Sequence, residues 1–354
     1  MTRERKAVVW FLVIAFGVSW PLFVLPLAFG RPGSQVRQVA SMAAWAAAMW
    51  GPGLAAIVAT RFVAGRSLRT LNLGRLGPKR PYLWAWLLPP GLAIAAGLFT
   101  VALGAGRLDL EFTAVREAMA QVPGGKGIPP AVLVGIQVIS CFTLAPAFNC
   151  IFALGEELGW RRFLLERLLP LGQWRAIALS GTIWGVWHLP AIVQGLNYPG
   201  RPVLGVFMMI VFCVLLGAIF SWLYLQTRSP WTPTLAHASL NATAGLPMFF
   251  LKDVNIVIGG TVASVIGWIG LAGFVGWLVL SRRLPVTLGR EAAAVVPDGT
   301  SEADYKSAAL PIELSRPCMV PITPRQTAGQ DALEERRKGR GFSQRRRARR
   351  EGFG

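Results

Sequence analysis

The sequence is poor in histidine, in acid and in zinc-type cysteine. Only His188 and His237 occur in 354 residues, so there is no histidine-rich metal tract and no HExxH helix. Charged residues make up 15% of the chain, against about 25% for a typical soluble domain, and 53% is hydrophobic. This excludes an ordinary water-soluble globule. The four cysteines, Cys141, Cys150, Cys213 and Cys318, have no CxxC spacing, which argues against a disulfide framework and a zinc knuckle. The first three sit in apolar runs and read as packing residues; the fourth sits in a polar tail. No solenoid-type repeat is present. Acids are outnumbered 17 to 36 by Lys and Arg, giving a net charge of +19. That excess is not a nucleic-acid footprint: residues 1–281 carry 21 basic and 8 acidic side chains, and residues 282–354 carry 15 and 9. Arginine outnumbers lysine 30 to 6, which reads as coding bias, and no nucleic-acid partner is expected.

What the chain does have is apolar runs long enough to cross a bilayer, for which about 20 residues are needed. The expected spans are 7–29, 39–62, 82–105, 131–154, 175–193, 203–225, 232–251 and 257–281. The fold class is therefore all-α, a polytopic membrane bundle of about eight helices. The first run is too long for a signal peptide and lacks a small-residue cleavage site, so it reads as an anchor. Placing the N-terminus in the cytoplasm puts 14 Lys and Arg on the cytoplasmic side, tail excluded, and 7 on the other. Both termini are then cytoplasmic, and the expected location is an integral protein of a bacterial cytoplasmic membrane. The expected organisation is N-terminal helices and loops at 1–130, a catalytic helical core at 131–251, a last span at 252–283 and a disordered basic tail at 284–354. Within the first part, 106–130 reads as an outer loop with a short helix through "FTAVREAMAQV". The terminal basic cluster reads as a solvated, topology-enforcing tail; contact with anionic lipid is the alternative.

The stretch "ALGEELGWRRFLLERL" is where chemistry enters. An almost uncharged run ends on Glu156 and Glu157, and arginines follow. Residues four apart share a helix face, so Glu157 meets Arg161, Trp184 meets His188, and His237 meets Asn241. Polar groups inside a span are expensive, so the helices carrying His188 and His237 should face the protein interior. Thr232, followed by Pro233, is the expected cap of the last of these helices. Glu157 has Arg161 to offset its burial. Glu156 has Phe152 and Trp160 at i±4, neither an opposite charge. A carboxylate in a low-dielectric site holds a proton more tightly than one in water, which suits a general base near neutral pH. The bland alternative is a helix end whose acids and arginines are solvated at the membrane surface. The tryptophans read as interface belts and bundle packing. The sequon at Asn241-Ala242-Thr243 lies within a span and reads as chance.

In this order on successive apolar helices, Glu156-Glu157-x-x-x-Arg161, Trp184-x-x-x-His188 and His237-x-x-x-Asn241 resemble the CAAX-protease and bacteriocin-processing family of intramembrane glutamic endopeptidases (the CAAX prenyl protease 2-like, or Abi, group). The resemblance covers roughly residues 131–251, about a third of the chain. Arg162 stands where glycine is common in the family, and Trp184 where phenylalanine is common. The resemblance implies that Glu156 activates water and that His188 helps orient it. It implies that His237 and Asn241 donate to the oxyanion at the scissile carbonyl, with Glu157 and Arg161 supporting the site. The expected activity is cleavage of a peptide bond in a membrane-associated peptide or lipidated protein, with the bilayer as partner and no cofactor.

Two other readings stand beside it. Two histidines with Glu156 or Glu157 could form a zinc site of a membrane metalloprotease, which chelators would silence. A non-catalytic immunity factor, scaffold or transporter is the other; a Glu156→Gln variant that kept its function would favour it.

Overall fold

The computed structural model describes residues 2–31, 33–120 and 127–287. The described chain is a helical bundle. Its helices are α1 (Arg3–Val24), α2 (Gln35–Ala48), α3 (Gly51–Val58), α4 (Arg80–Ala102), α5 (Thr113–Ala120), α6 (Pro130–Phe142), α7 (Leu144–Glu157), α8 (Glu166–Leu168), α9 (Gln173–Trp187), α10 (Leu189–Val193), α11 (Pro202–Thr227), α12 (Trp231–Thr243) and α13 (Val265–Leu280). The strand content is one antiparallel pair, β1 (Arg107–Leu108) with β2 (Leu251–Lys252), in the register Arg107 to Lys252 and Leu108 to Leu251. The helix expected near residue 113 is α5; the rest of that stretch reaches into residues 121–126, outside the described residues. The tail from residue 288 on, with Cys318 and the terminal basic cluster, also lies outside them.

Four segments are long and apolar enough to cross a membrane: Arg3–Ala28, Gln35–Val63, Arg80–Ala102 and Pro202–Thr227. A fifth is the pair Pro130–Phe142 and Leu144–Leu171, bent by 49° at Thr143. These are the helices of an integral membrane protein. The expectation of eight continuous spans is not met by length. The 175–193 run is divided between α9 and α10 at His188, where Pro190 follows and the helix ladder is interrupted. The 232–251 run ends after 13 residues of α12, at the turn before Gly245, Leu246 and Pro247. The 257–281 run forms helix over Val265–Leu280. A short helix suffices at α12 because it is packed inside the bundle, where neighbours rather than lipid satisfy the chain; α9 buries one face and exposes the other.

Packing is set by small residues. α12 lies against α7 and α4, α9 against α11, and α3 against α7 and the turn that follows it. A Cβ on Gly155 would stand 2.8 Å from the Trp50 Cα, and one on Gly53 would stand 2.9 Å from the Gly155 Cα. Gly159 meets Pro52 in the same way. The glycines on either side of the acid pair thus let the Gly51-Pro52-Gly53 backbone touch α7 directly. On the far side, Cβ atoms on Gly181 and Gly185 would stand 2.8 and 2.6 Å from the Cα atoms of Val214 and Ile210, so α9 and α11 also meet backbone to backbone. Small residues permit such approach where lipid gives no hydrophobic drive between helices.

The basic loop between α3 and α4 folds onto the helix ends. Arg75 Nε donates to the Thr227 carbonyl at 3.1 Å, Trp231 Nε1 to the Leu73 carbonyl at 2.8 Å, and Arg162 Nη2 to the Thr70 carbonyl. Glu4 pairs with Arg66 at 2.8 Å and with Arg167 at 3.1 Å. Arg162 therefore serves this collar. Its Nη1 donates to the Tyr224 hydroxyl, and Glu166 accepts from Tyr224 at 2.5 Å and Arg228 at 2.6 Å.

Candidate active site

α7 ends on the acid pair and runs on through a wide π-helical turn, Leu158–Leu165, into α8. Such turns recur at functional sites. Both acids are buried, Glu156 at 2% and Glu157 at 0% exposure, so the reading of a solvated helix end does not describe them.

The two carboxylates have different partners. Glu157 Oε1 accepts from Arg161 Nη1 at 2.9 Å and from His237 Nδ1 at 2.8 Å. The guanidinium of Arg161 lies over the Trp184 ring at 4.3 Å and the Phe220 ring at 5.1 Å. Glu157 is thus paired with the Arg161 guanidinium and tied by His237 between helices α7 and α12. Glu156 has neutral donors only: its Oε2 accepts from Trp184 Nε1 at 2.6 Å and Trp160 Nε1 at 3.2 Å. Its Oε1 stands 4.0 Å from His237 Nε2. Sequence reasoning read the tryptophans as belts and packing and so missed these donors. Trp160 at i+4 from Glu156 was the available signal, since an indole N–H donates and never accepts.

His237 sits on the second turn of α12 and reaches both acids. The start of α12 differs from expectation. The helix begins at Trp231, whose backbone N–H donates to Ser229 Oγ, and Thr232 Oγ1 turns to Thr227 Oγ1 at 2.9 Å. Ser229 provides an acceptor one turn earlier, so Thr232 is not needed as the cap. His188 stands at the break between α9 and α10. Its Nδ1 meets the Trp184 carbonyl at 2.9 Å, which leaves Nε2 as the nitrogen able to serve a water. Asn241 is exposed and makes no side-chain hydrogen bond among the described residues. The structure therefore gathers Glu156, Glu157, Arg161, His237 and Trp184 into one contact network. His188 joins it through Trp184, at 5.8 Å between ring centres, and Asn241 lies outside its hydrogen bonds.

A zinc ion would need three donors converging on one point. Among the described residues, no group of three His, Cys, Asp or Glu side chains is arranged to hold a metal ion.

An open apolar groove of about 560 Å³ lies between α4, the α6–α7 break and α12, with Trp86, Phe142, Pro146 and Leu235 on its walls. Trp86 Nε1 donates to the Phe142 carbonyl at 3.1 Å, satisfying a backbone group freed by the bend. Ten residues of α7 separate Pro146 from Glu156, about 15 Å at 1.5 Å per residue.

No curated protein matches the chain. Residues 138–243 match the family model described as type II CAAX prenyl endopeptidase Rce1-like. They take in the acid pair, both histidines and Asn241. The chain thus carries an Rce1-like domain of the CAAX-protease family, set within the helices of an integral membrane protein.

Proposed function

We propose that the protein is an intramembrane glutamic-type endopeptidase that hydrolyses a peptide bond in a membrane-associated or lipidated substrate, with Glu156 activating the water. The observation that carries this reading is the unequal treatment of the two acids. Glu157 Oε1 is shared by a guanidinium and an imidazole, whereas Glu156 Oε2 is held by neutral N–H groups; each acid keeps a second oxygen outside any hydrogen bond among the described residues, and that of Glu156 faces His237 Nε2 at 4.0 Å.

In the proposed step, Glu156 takes a proton from water as the water oxygen bonds to the scissile carbonyl carbon. The carbonyl electron pair moves onto oxygen, and His237 and Asn241 donate hydrogen bonds to that oxyanion. Collapse of the tetrahedral intermediate breaks the C–N bond, and Glu156 returns the proton to the leaving amine. His237 donates from Nδ1 to Glu157, so a second donation from Nε2 requires the doubly protonated ring; the carboxylates at 2.8 and 4.0 Å supply its counter-charge. His188 orients the water through Nε2, and Arg161 holds Glu157 in register. The groove beside α7 suits an apolar chain attached to the substrate. The site faces the cytoplasm in this reading, as the distribution of Lys and Arg implies.

The test is cleavage of lipidated and unlipidated synthetic peptides by the purified protein in proteoliposomes, read by mass spectrometry, with and without chelator. Cleavage that survives the chelator and is lost in Glu156→Gln supports the reading. Loss of activity on metal removal, with recovery on adding zinc, overturns it, as does a protein that cuts nothing.

A further inference from the structure

The two oxygens of Glu156 stand in different surroundings. Oε2 accepts from two indoles, at 2.6 and 3.2 Å. An ionised carboxyl oxygen has about two lone-pair positions, so Oε2 is filled. Oε1 makes no hydrogen bond among the described residues, and His237 Nε2 stands 4.0 Å from it. That gap is too long for a direct hydrogen bond and suits one water touching both.

Both indoles are rigidly placed. Trp160 is 1% exposed and packs edge-on against Phe11 and Trp187, with ring centres 5.7 and 5.8 Å away. Trp184 lies under the Arg161 guanidinium, with its ring 5.5 Å from that of His237. The last torsion of a free glutamate is broad and roughly two-fold, so either oxygen could face the water. With two donors fixed on one oxygen, rotation would break both bonds.

We infer that Trp184 and Trp160 are positioning residues that select the working oxygen of Glu156: they occupy Oε2 and leave Oε1, on the His237 side, as the proton acceptor. An indole N–H suits this task because it donates and has no acceptor to compete for the proton. The inference rests on Glu156 being the base. It adds which oxygen acts and which side chains decide it. These residues act on Glu156 and not on substrate, so their loss falls on kcat and leaves KM unchanged.

The test replaces Trp184, and separately Trp160, with benzothienylalanine, which keeps the fused ring and removes the N–H. Trp184→Phe is the simpler companion variant. Expected at position 184 is a fall in kcat of roughly 10- to 100-fold, the worth of one hydrogen bond to a charged group, with KM unchanged. A smaller fall is expected at position 160, whose bond is longer. In a Glu156→Gln background the same replacement should leave the residual rate unchanged. Wild-type kcat in both isosteric variants overturns the inference, and so does a loss confined to KM. If Glu156→Gln itself keeps the wild-type rate, the base reading fails instead; if it is inactive while both isosteric variants are normal, only the present inference fails.

Discussion

Removing the charge of Glu157 should unfold the site before it alters the chemistry. The Glu157 side chain is 0% exposed and that of Arg161 3%, with 2.9 Å between them. Glu157→Gln keeps the shape but leaves a buried guanidinium without a counter-charge, a change that costs about 3–5 kcal/mol. Arg161→Met should cost a comparable amount from the other side, since it leaves the buried carboxylate with His237 Nδ1 as its one remaining donor and removes the cation from the Trp184 face, itself worth about 2 kcal/mol when desolvated. The double variant removes both charges. It should lie only about 2 kcal/mol below the native protein, the lost ring contact, because a buried pair exchanged for neutral groups of similar volume is often near neutral. The coupling between the two sites is then at least about 4 kcal/mol, well beyond the scatter of independent sites. Unfolding in mixed micelles titrated with denaturing detergent gives all four stabilities. Single variants that each cost under about 1 kcal/mol, or losses that simply add in the double variant, would refute the reasoning.

Three further outcomes are expected. Asn241→Ala should lower kcat by about 100- to 1,000-fold, the worth of an oxyanion donor, without moving the melting temperature, because the exposed Asn241 side chain makes no hydrogen bond among the described residues. Gly159→Ala should destabilise by about 1–3 kcal/mol, since the added Cβ would lie 2.8 Å from the Pro52 carbonyl group; Gly91→Ala, where no atom lies within 4 Å, is the matched control and should melt no lower than the native protein. Arg162→Ala should speed tryptic cutting at Arg69 and Arg75 by releasing the loop that Arg162 binds at the Thr70 carbonyl, with gel-based limited proteolysis as the readout.

Much of the bundle was legible because lipid imposes long apolar runs: α1, α4 and α11 follow directly from uninterrupted stretches. Span count was not, because α12 is buried by protein and ends early at Thr243, and α9, with one face packed on α11, breaks at His188. The i,i+4 spacing of Glu157 and Arg161 foretold a contact that depends on one helix alone. Contacts between helices were harder to read. Nothing in local spacing tells that Trp184 reaches Glu156 from 28 residues away, or that Gly155 and Gly159 open α7 to the Gly51-Pro52-Gly53 turn. Both depend on close backbone approach, which small residues allow but do not aim.

The most direct test of Glu156 as a base is a single turnover of excess protein over a lipidated peptide in water enriched in heavy oxygen, followed by mass spectrometry of both product and protein. Expected is label in the new C-terminal carboxyl of the product and none in the Glu156 side chain, because the activated water attacks the substrate itself. Label in the Glu156 carboxyl, with an unlabelled product, would show that Glu156 attacks as a nucleophile and would contradict its role as a base.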